Sequence, residues 1–135
     1  MHRAMSNEVP KPKPGTVGWM DLTVPNAKDV AAFYRDVAGH ELGEIDMGGY
    51  SDYVLTASTG APAGGVCHAR GENANMPPVW MVYFTVVDLE ASLAKVEASG
   101  GKIRIPTRDM GGMGRFAVIE DPAGAIAALY QTAKE

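Results

Sequence analysis

Apolar and polar residues alternate along Trp19-Met20-Asp21-Leu22-Thr23-Val24, the pattern of a strand with one buried face. Met20, Leu22 and Val24 are its apolar set and are expected to pack under a helix, which leaves Trp19, Asp21 and Thr23 on the opposite face. The period then lengthens. Val30, Phe33, Tyr34 and Val37 recur at the spacing of one helical face, with Asn26 placed to cap the helix start and Gly39 to end it. Three short strands follow, at Glu41–Asp46, Ser51–Thr56 and Gly64–Ala69. In the last of these, Val66 and His68 are expected on the face that carries Trp19 and Asp21, with Cys67 turned toward the helix.

The same grammar is written a second time. A strand at Met81–Val87 places Val82, Phe84 and Val86 under a helix and Met81, Tyr83 and Thr85 on the other face. Asp88 caps the helix, Leu89, Leu93 and Val96 form its apolar stripe, and Gly100-Gly101 ends it. Strands at Lys102–Ile105, Arg115–Glu120 and Ala125–Tyr130 complete the half, the last turning Ile126, Ala128 and Tyr130 to the face of Tyr83. Trp19 to Val24 align with Met81 to Val86 at an offset of 62, and Asp46-Met47-Gly48-Gly49-Tyr50 with Asp109-Met110-Gly111-Gly112-Met113 at 63. Gly64 and Val66 fall on Gly124 and Ile126 at 60. Three blocks in one order read as a duplicated βαβββ module rather than a solenoid.

Composition bounds what such a chain does. Its 135 residues, 46% hydrophobic and 21% charged, suffice for one domain without disulfide staples. Sixteen glycines exceed the typical ~7% of a chain, and the duplicated turns and helix ends account for many of them. A net charge of −4 reads against a nucleic-acid-binding surface. The longest nearly apolar run, Val79–Val87, falls short of the about 20 residues that span a bilayer. No charged-then-apolar leader opens the sequence, and the single Cys67 cannot form an internal disulfide, so a cytoplasmic protein is expected. Residues 1–15, with Pro10, Pro12 and Pro14 alternating with lysines, read as a flexible tail without function, His2 and Arg3 included. Residues 16–135 read as one domain, with modules at about 16–70 and about 78–131.

Asp21-Leu22-Thr23-Val24-Pro25-Asn26, Phe33-Tyr34-Arg35-Asp36-Val37, Phe84-Thr85-Val86-Val87-Asp88-Leu89 and Glu120-Asp121-Pro122-Ala123-Gly124 stand in order across the two halves. On these motifs the chain resembles the vicinal oxygen chelate superfamily, home of glyoxalase I, extradiol dioxygenases, and the fosfomycin and bleomycin resistance proteins. The resemblance implies an α+β fold in which two tandem βαβββ modules form a curled, incomplete β-barrel around a small-molecule cleft. It also implies a homodimer and, in many members, a divalent metal held by residues of the first and last strand of each module. Here the first-strand positions are Trp19 and Met81 and the last-strand position of the second module is Ala128. None of these suits a hard or borderline cation. An offset of 60 puts His68 at the remaining position, as the sole family-position candidate for a metal. No cofactor is therefore expected.

The expected ligand-binding residues are Trp19, Asp21, Thr23, His68, Met81, Tyr83, Arg115 and Tyr130, apolar walls with a few convergent polar groups. Asp21 and His68 are the candidate catalytic pair, a carboxylate and an imidazole fit to take a proton beside a carbonyl. Packed core is the competing reading for the aromatic residues; Asp21 resists it, because a mid-strand carboxylate is costly to bury. The leading expectation is a metal-free small-molecule binder. The competing one is a glyoxalase-like lyase or isomerase, or a dioxygenase, with a displaced metal. Met-Gly-Gly repeats at Gly48-Gly49 and Gly111-Gly112 read as hairpins rather than phosphate cradles, since no helix follows them.

Overall fold

Residues 11–133 are described in the structure, a computed structural model; the first ten residues, with His2 and Arg3, and the last two lie outside the described residues. Among the described residues the elements are β1 (Val17–Val24), α1 (Ala27–Ala38), β2 (Glu41–Asp46), β3 (Ser51–Thr56) and β4 (Pro62–His68), then β5 (Met81–Thr85), α2 (Leu89–Val96), β6 (Lys102–Asp109), β7 (Arg115–Glu120) and β8 (Ile126–Gln131). The α+β class and the twofold βαβββ order are as the alternation implies. Two compact units form, a first unit of Trp19–Val82 and a second of residues 83–133 with residues 11–18.

In the first unit the strand order is β2-β3-β4-β1, with β1 and β4 parallel and the other pairs antiparallel. A parallel pair needs a long crossover, which α1, β2 and β3 supply. The core consists of Leu22, Val24, Ala27, Ala31, Tyr53, Leu55 and Val66, with Val30, Tyr34, Leu42 and Trp80 packed against it. This corrects the expected helix face. Ala27, Val30, Ala31 and Tyr34 turn inward, while Phe33 and Val37 stay 54% and 67% exposed. Two alanines let the helix axis approach the sheet more closely than a phenylalanine would. Trp80 locks the arrangement, its indole N–H donating to the Tyr34 hydroxyl at 3.0 Å with the rings edge to face. Asn26 makes no side-chain cap, but Gly39 ends α1 in the left-handed conformation, φ +77°.

In the second unit the order is β5-β8-β7-β6, with β5 and β8 parallel. Asp88 caps α2 by accepting the Ala91 N–H at 3.1 Å, and the Leu89 N–H donates to Gln131 Oε1 at 2.8 Å. The helix has only eight residues and packs on β6, β7 and β8. Phe84, expected beneath it, is therefore 41% exposed. Part of the expected tail is hydrogen-bonded to this unit. The Gly15 N–H donates to the Thr85 carbonyl, the Thr85 N–H to that of Thr16, and Lys11 Nζ to that of Ala133. Both Met-Gly-Gly turns join paired strands, β2 to β3 and β6 to β7.

Candidate functional site

Register decides which side chains of the first unit share a face. Between β1 and β4, Asp21 lies beside Gly65, Leu22 beside Val66, Thr23 beside Cys67 and Val24 beside His68. Val66 is fully buried in the core with Leu22, so Cys67 belongs to the face of Asp21 and Thr23. That reverses the faces expected for β4. A one-residue slip in pairing moves every side chain across the sheet, and the offset of 60 carried such a slip through the loop before Gly64.

The outward face of this unit begins with an aromatic ring. A Cβ at Gly65 would stand 3.5 Å from Trp19 Cζ2 and 3.4 Å from Asp21 Cβ, so the indole lies against bare backbone. On the helix side, a Cβ at Gly64 would meet Trp80 Cζ3 at 3.4 Å and the Met20 carbonyl oxygen at 3.0 Å. The outward face also carries a second carboxylate that sequence reasoning missed. Asp52, 7% exposed in β3, accepts the His68 backbone N–H at 2.9 Å and stands 3.2 Å from His68 Nδ1. His68 thus takes Asp52 as its carboxylate partner, where Asp21 was expected. A carboxylate only accepts in this contact, so Nδ1 is the donor. Alternation puts the His68 side chain with Val66 rather than on the outward face where it was expected, its ring centroid 6.3 Å from that of buried Tyr53. The signal was present in Ser51-Asp52-Tyr53-Val54-Leu55, where Tyr53 and Leu55 form the buried set and Asp52 alternates with them.

Between the two carboxylates sits Cys67. Burial foremost, then the charges of Asp21 and Asp52 and a hydrogen bond to Asp52, push its thiol from 9.0 up to about 12. Cys67 is therefore neutral across the physiological range and no nucleophile. Against an ordinary thiol of pKa 9.0, the thiolate fraction at pH 8 falls roughly a thousandfold. Iodoacetamide should accordingly label Cys67 far more slowly in native than in urea-unfolded protein, read by intact mass. Comparable rates would contradict the placement. The raised value also means that the contribution of this thiol to stability is complete below pH 9 and is lost as pH rises toward about 12.

At the end of β4 the His68 ring stands edge-on to Tyr50, centroids 5.5 Å apart, and the Arg70 guanidinium lies 3.8 Å over the Tyr50 ring. The sequence offered no sign of this contact.

In the second unit the register matches expectation. Tyr83 lies beside Ala128 and Thr85 beside Tyr130, so these four share a face. Tyr83 packs on Phe116 with centroids 5.9 Å apart, and Thr85 Oγ1 is buried without a hydrogen-bond partner. The Tyr130 hydroxyl donates to the Met113 carbonyl at 2.5 Å, and burial raises its pKa. Arg115, opposite Asp109 in the β6–β7 pair, lines a recess of about 400 Å³ with Gly114, Gln131 and Thr132. Met81 is buried in the first unit.

This doubled βαβββ order with parallel first and last strands has counterparts among known proteins. Residues 16–128 match the family described as the Glyoxalase/Bleomycin resistance protein/Dioxygenase superfamily. The chain belongs to that superfamily. Among curated relatives, the anthracycline biosynthesis protein DnrV of Streptomyces peucetius is 30% identical over 130 residues, covering 87% of this chain and 47% of DnrV. CFP32 of Mycobacterium tuberculosis, whose name assigns it provisionally to the glyoxylases, is 31% identical over 119 residues, covering 87% of this chain and 46% of CFP32. The chain thus spans about half the length of these relatives. Methylmalonyl-CoA epimerase from Mycobacterium tuberculosis shares the fold, with a TM-score of 0.54 at 18% identity over 85% of this chain and 86% of the epimerase.

The superfamily's metal positions can now be read from register. Asp21 and Tyr83 correspond at the offset of 62, and their parallel partners are Gly65 and Ala128. Gly65, not His68, is therefore the counterpart of Ala128. Trp19, Gly65, Met81 and Ala128 offer an indole, a hydrogen, a thioether and a methyl, which do not fit a divalent cation of the superfamily type. Among the described residues, no group of three or more His, Cys, Asp or Glu side chains is arranged to hold a metal ion.

Proposed function

We propose that this chain binds a small organic molecule without a superfamily-type metal, and that the outward face of the first unit is a principal recognition surface. The observation that carries the reading is the Trp19 indole laid over Gly65 beside the Asp21 carboxylate, with the thiol of Cys67 on β4 and the carboxylate of Asp52 on the neighbouring β3. An aromatic platform bordered by a few polar groups is the composition of a small-molecule site rather than of a packed interior. Asp21 supplies a polar contact from β1 and Tyr130 offers further aromatic surface in the second unit, whereas Thr23 and Tyr83, 6% and 7% exposed, are packed inside. The relatives point to candidate ligands, an anthracycline from DnrV's name and a CoA ester from the epimerase neighbours.

The test uses Trp80→Phe protein, which leaves Trp19 as the sole tryptophan. An anthracycline or an acyl-CoA is expected to quench its fluorescence saturably, and Asp21→Asn to weaken that binding about tenfold, the scale of one charge-assisted hydrogen bond. The reading fails if neither ligand quenches Trp19, or if Asp21→Asn binds unchanged. A stoichiometric metal in protein purified without chelators, with turnover lost on its removal, would replace it by the metal-dependent enzyme.

A further inference from the structure

We propose that Arg70, carried on Tyr50 and His68, forms an oxyanion-recognition site at the rim of the first unit, taking a carboxylate or phosphate group of the bound molecule. A buried charge is linked to an exposed one through a series of contacts. Asp52 holds His68 through the backbone N–H at 2.9 Å and through Nδ1 at 3.2 Å. His68 supports Tyr50 edge to face, and the Tyr50 ring carries the Arg70 guanidinium at 3.8 Å. Stacking fixes the plane of a guanidinium while leaving its in-plane N–H donors open, the geometry that grips two oxygens at once. Arg70 takes part in none of the ion pairs among the described residues, whereas Arg35 and Arg104 are paired with Asp36 and Glu120. An arginine that faces solvent ordinarily gives up rotamer freedom when it binds; here the stack has already removed much of it. The inference rests on the binding role proposed for this unit and names the class of molecule, an organic oxyanion.

The experiment titrates the full chain at pH 7 with inorganic phosphate and, separately, with acetate, against sodium chloride at matched ionic strength. Imidazole and phenol ring resonances are followed by proton–carbon NMR. Saturable shifts are expected at His68 and Tyr50 and none at His40, and the tighter of the two anions tells a phosphoryl from a carboxylate ligand. Arg70→Ala should weaken binding at least tenfold with an unchanged amide spectrum. Arg70→Lys, a point charge without the planar fork, should weaken it several-fold, and Tyr50→Phe, which keeps the ring, should retain near-native affinity. Shifts no larger than those with chloride, shifts that persist in Arg70→Ala, or native affinity in Arg70→Lys would overturn the assignment. A ligand that quenches Trp19 while phosphate leaves His68 unmoved overturns the oxyanion site alone. Phosphate binding without any quenching ligand overturns the wider reading alone.

Discussion

Gly114→Ala is expected to lower the melting temperature by about 10 °C or more, its added methyl meeting the tightest contact of any glycine among the described residues. Gly114 adopts φ +109°, ψ −157°, a region essentially confined to glycine. A Cβ there would collide with the Gln131 carbonyl oxygen and stand 3.0 Å from Tyr130 Cε1 and 3.1 Å from the Ala133 amide nitrogen. Two of these three neighbours are backbone atoms, so no rotamer change relieves the contact. Backbone strain of about 1–3 kcal/mol and overpacking of about 1–3 kcal/mol act together. The damage also reaches function, because Gly114 and Gln131 line the recess of Arg115 and the Gln131 side chain accepts the first N–H of α2. Thermal unfolding followed by circular dichroism measures the loss. A variant that melts within 2 °C of the parent would show that the turn accepts a side chain.

Leu89→Ala should cost about 3 kcal/mol, within the 2–5 kcal/mol of buried leucine truncations. Leu89 has 0% exposure and is the largest fully buried side chain in the protein's described residues. Its helix is short and buries only this one residue completely, so few neighbours can collapse into the space it leaves. The first unit spreads the same task over Ala27, Ala31 and the residues packed around them. Urea denaturation should show a lower midpoint at an unchanged slope. Leu89→Met, which conserves volume, should lose less than about 1.5 kcal/mol. A loss below 1 kcal/mol for Leu89→Ala would mean that α2 is anchored elsewhere.

What could be read from the sequence divides along physical lines. Where side chains alternate, as in Trp19-Met20-Asp21-Leu22-Thr23-Val24, the strand and the faces of its residues agree with the structure. In β4 two adjacent glycines carry no alternation, so its faces were borrowed from the internal repeat and came out reversed. In α1 the bulkiest residues drew the apolar stripe toward Phe33 and Val37, although close packing on the sheet selects the small Ala27 and Ala31. Asp52 was legible by the same argument that singled out Asp21. The Arg70 stack was not, since Tyr50 and Arg70 approach only after β3 and β4 have paired. The scaffold of the candidate site is thus local information, and its partners are tertiary information.

The glycine pair of β4 has a consequence for how such a strand changes over time. Gly64 and Gly65 face opposite sides of the sheet, and each lies under a tryptophan, Trp80 on one side and Trp19 on the other. The two sites are adjacent in sequence yet answer to different constraints, one to the helix-side core and one to the outward face. A side chain at position 65 would begin at ordinary contact distance from the Trp19 indole and extend along it, so a carboxylate there fits more easily beside a smaller residue at position 19. What position 65 accepts therefore depends on the occupant of position 19.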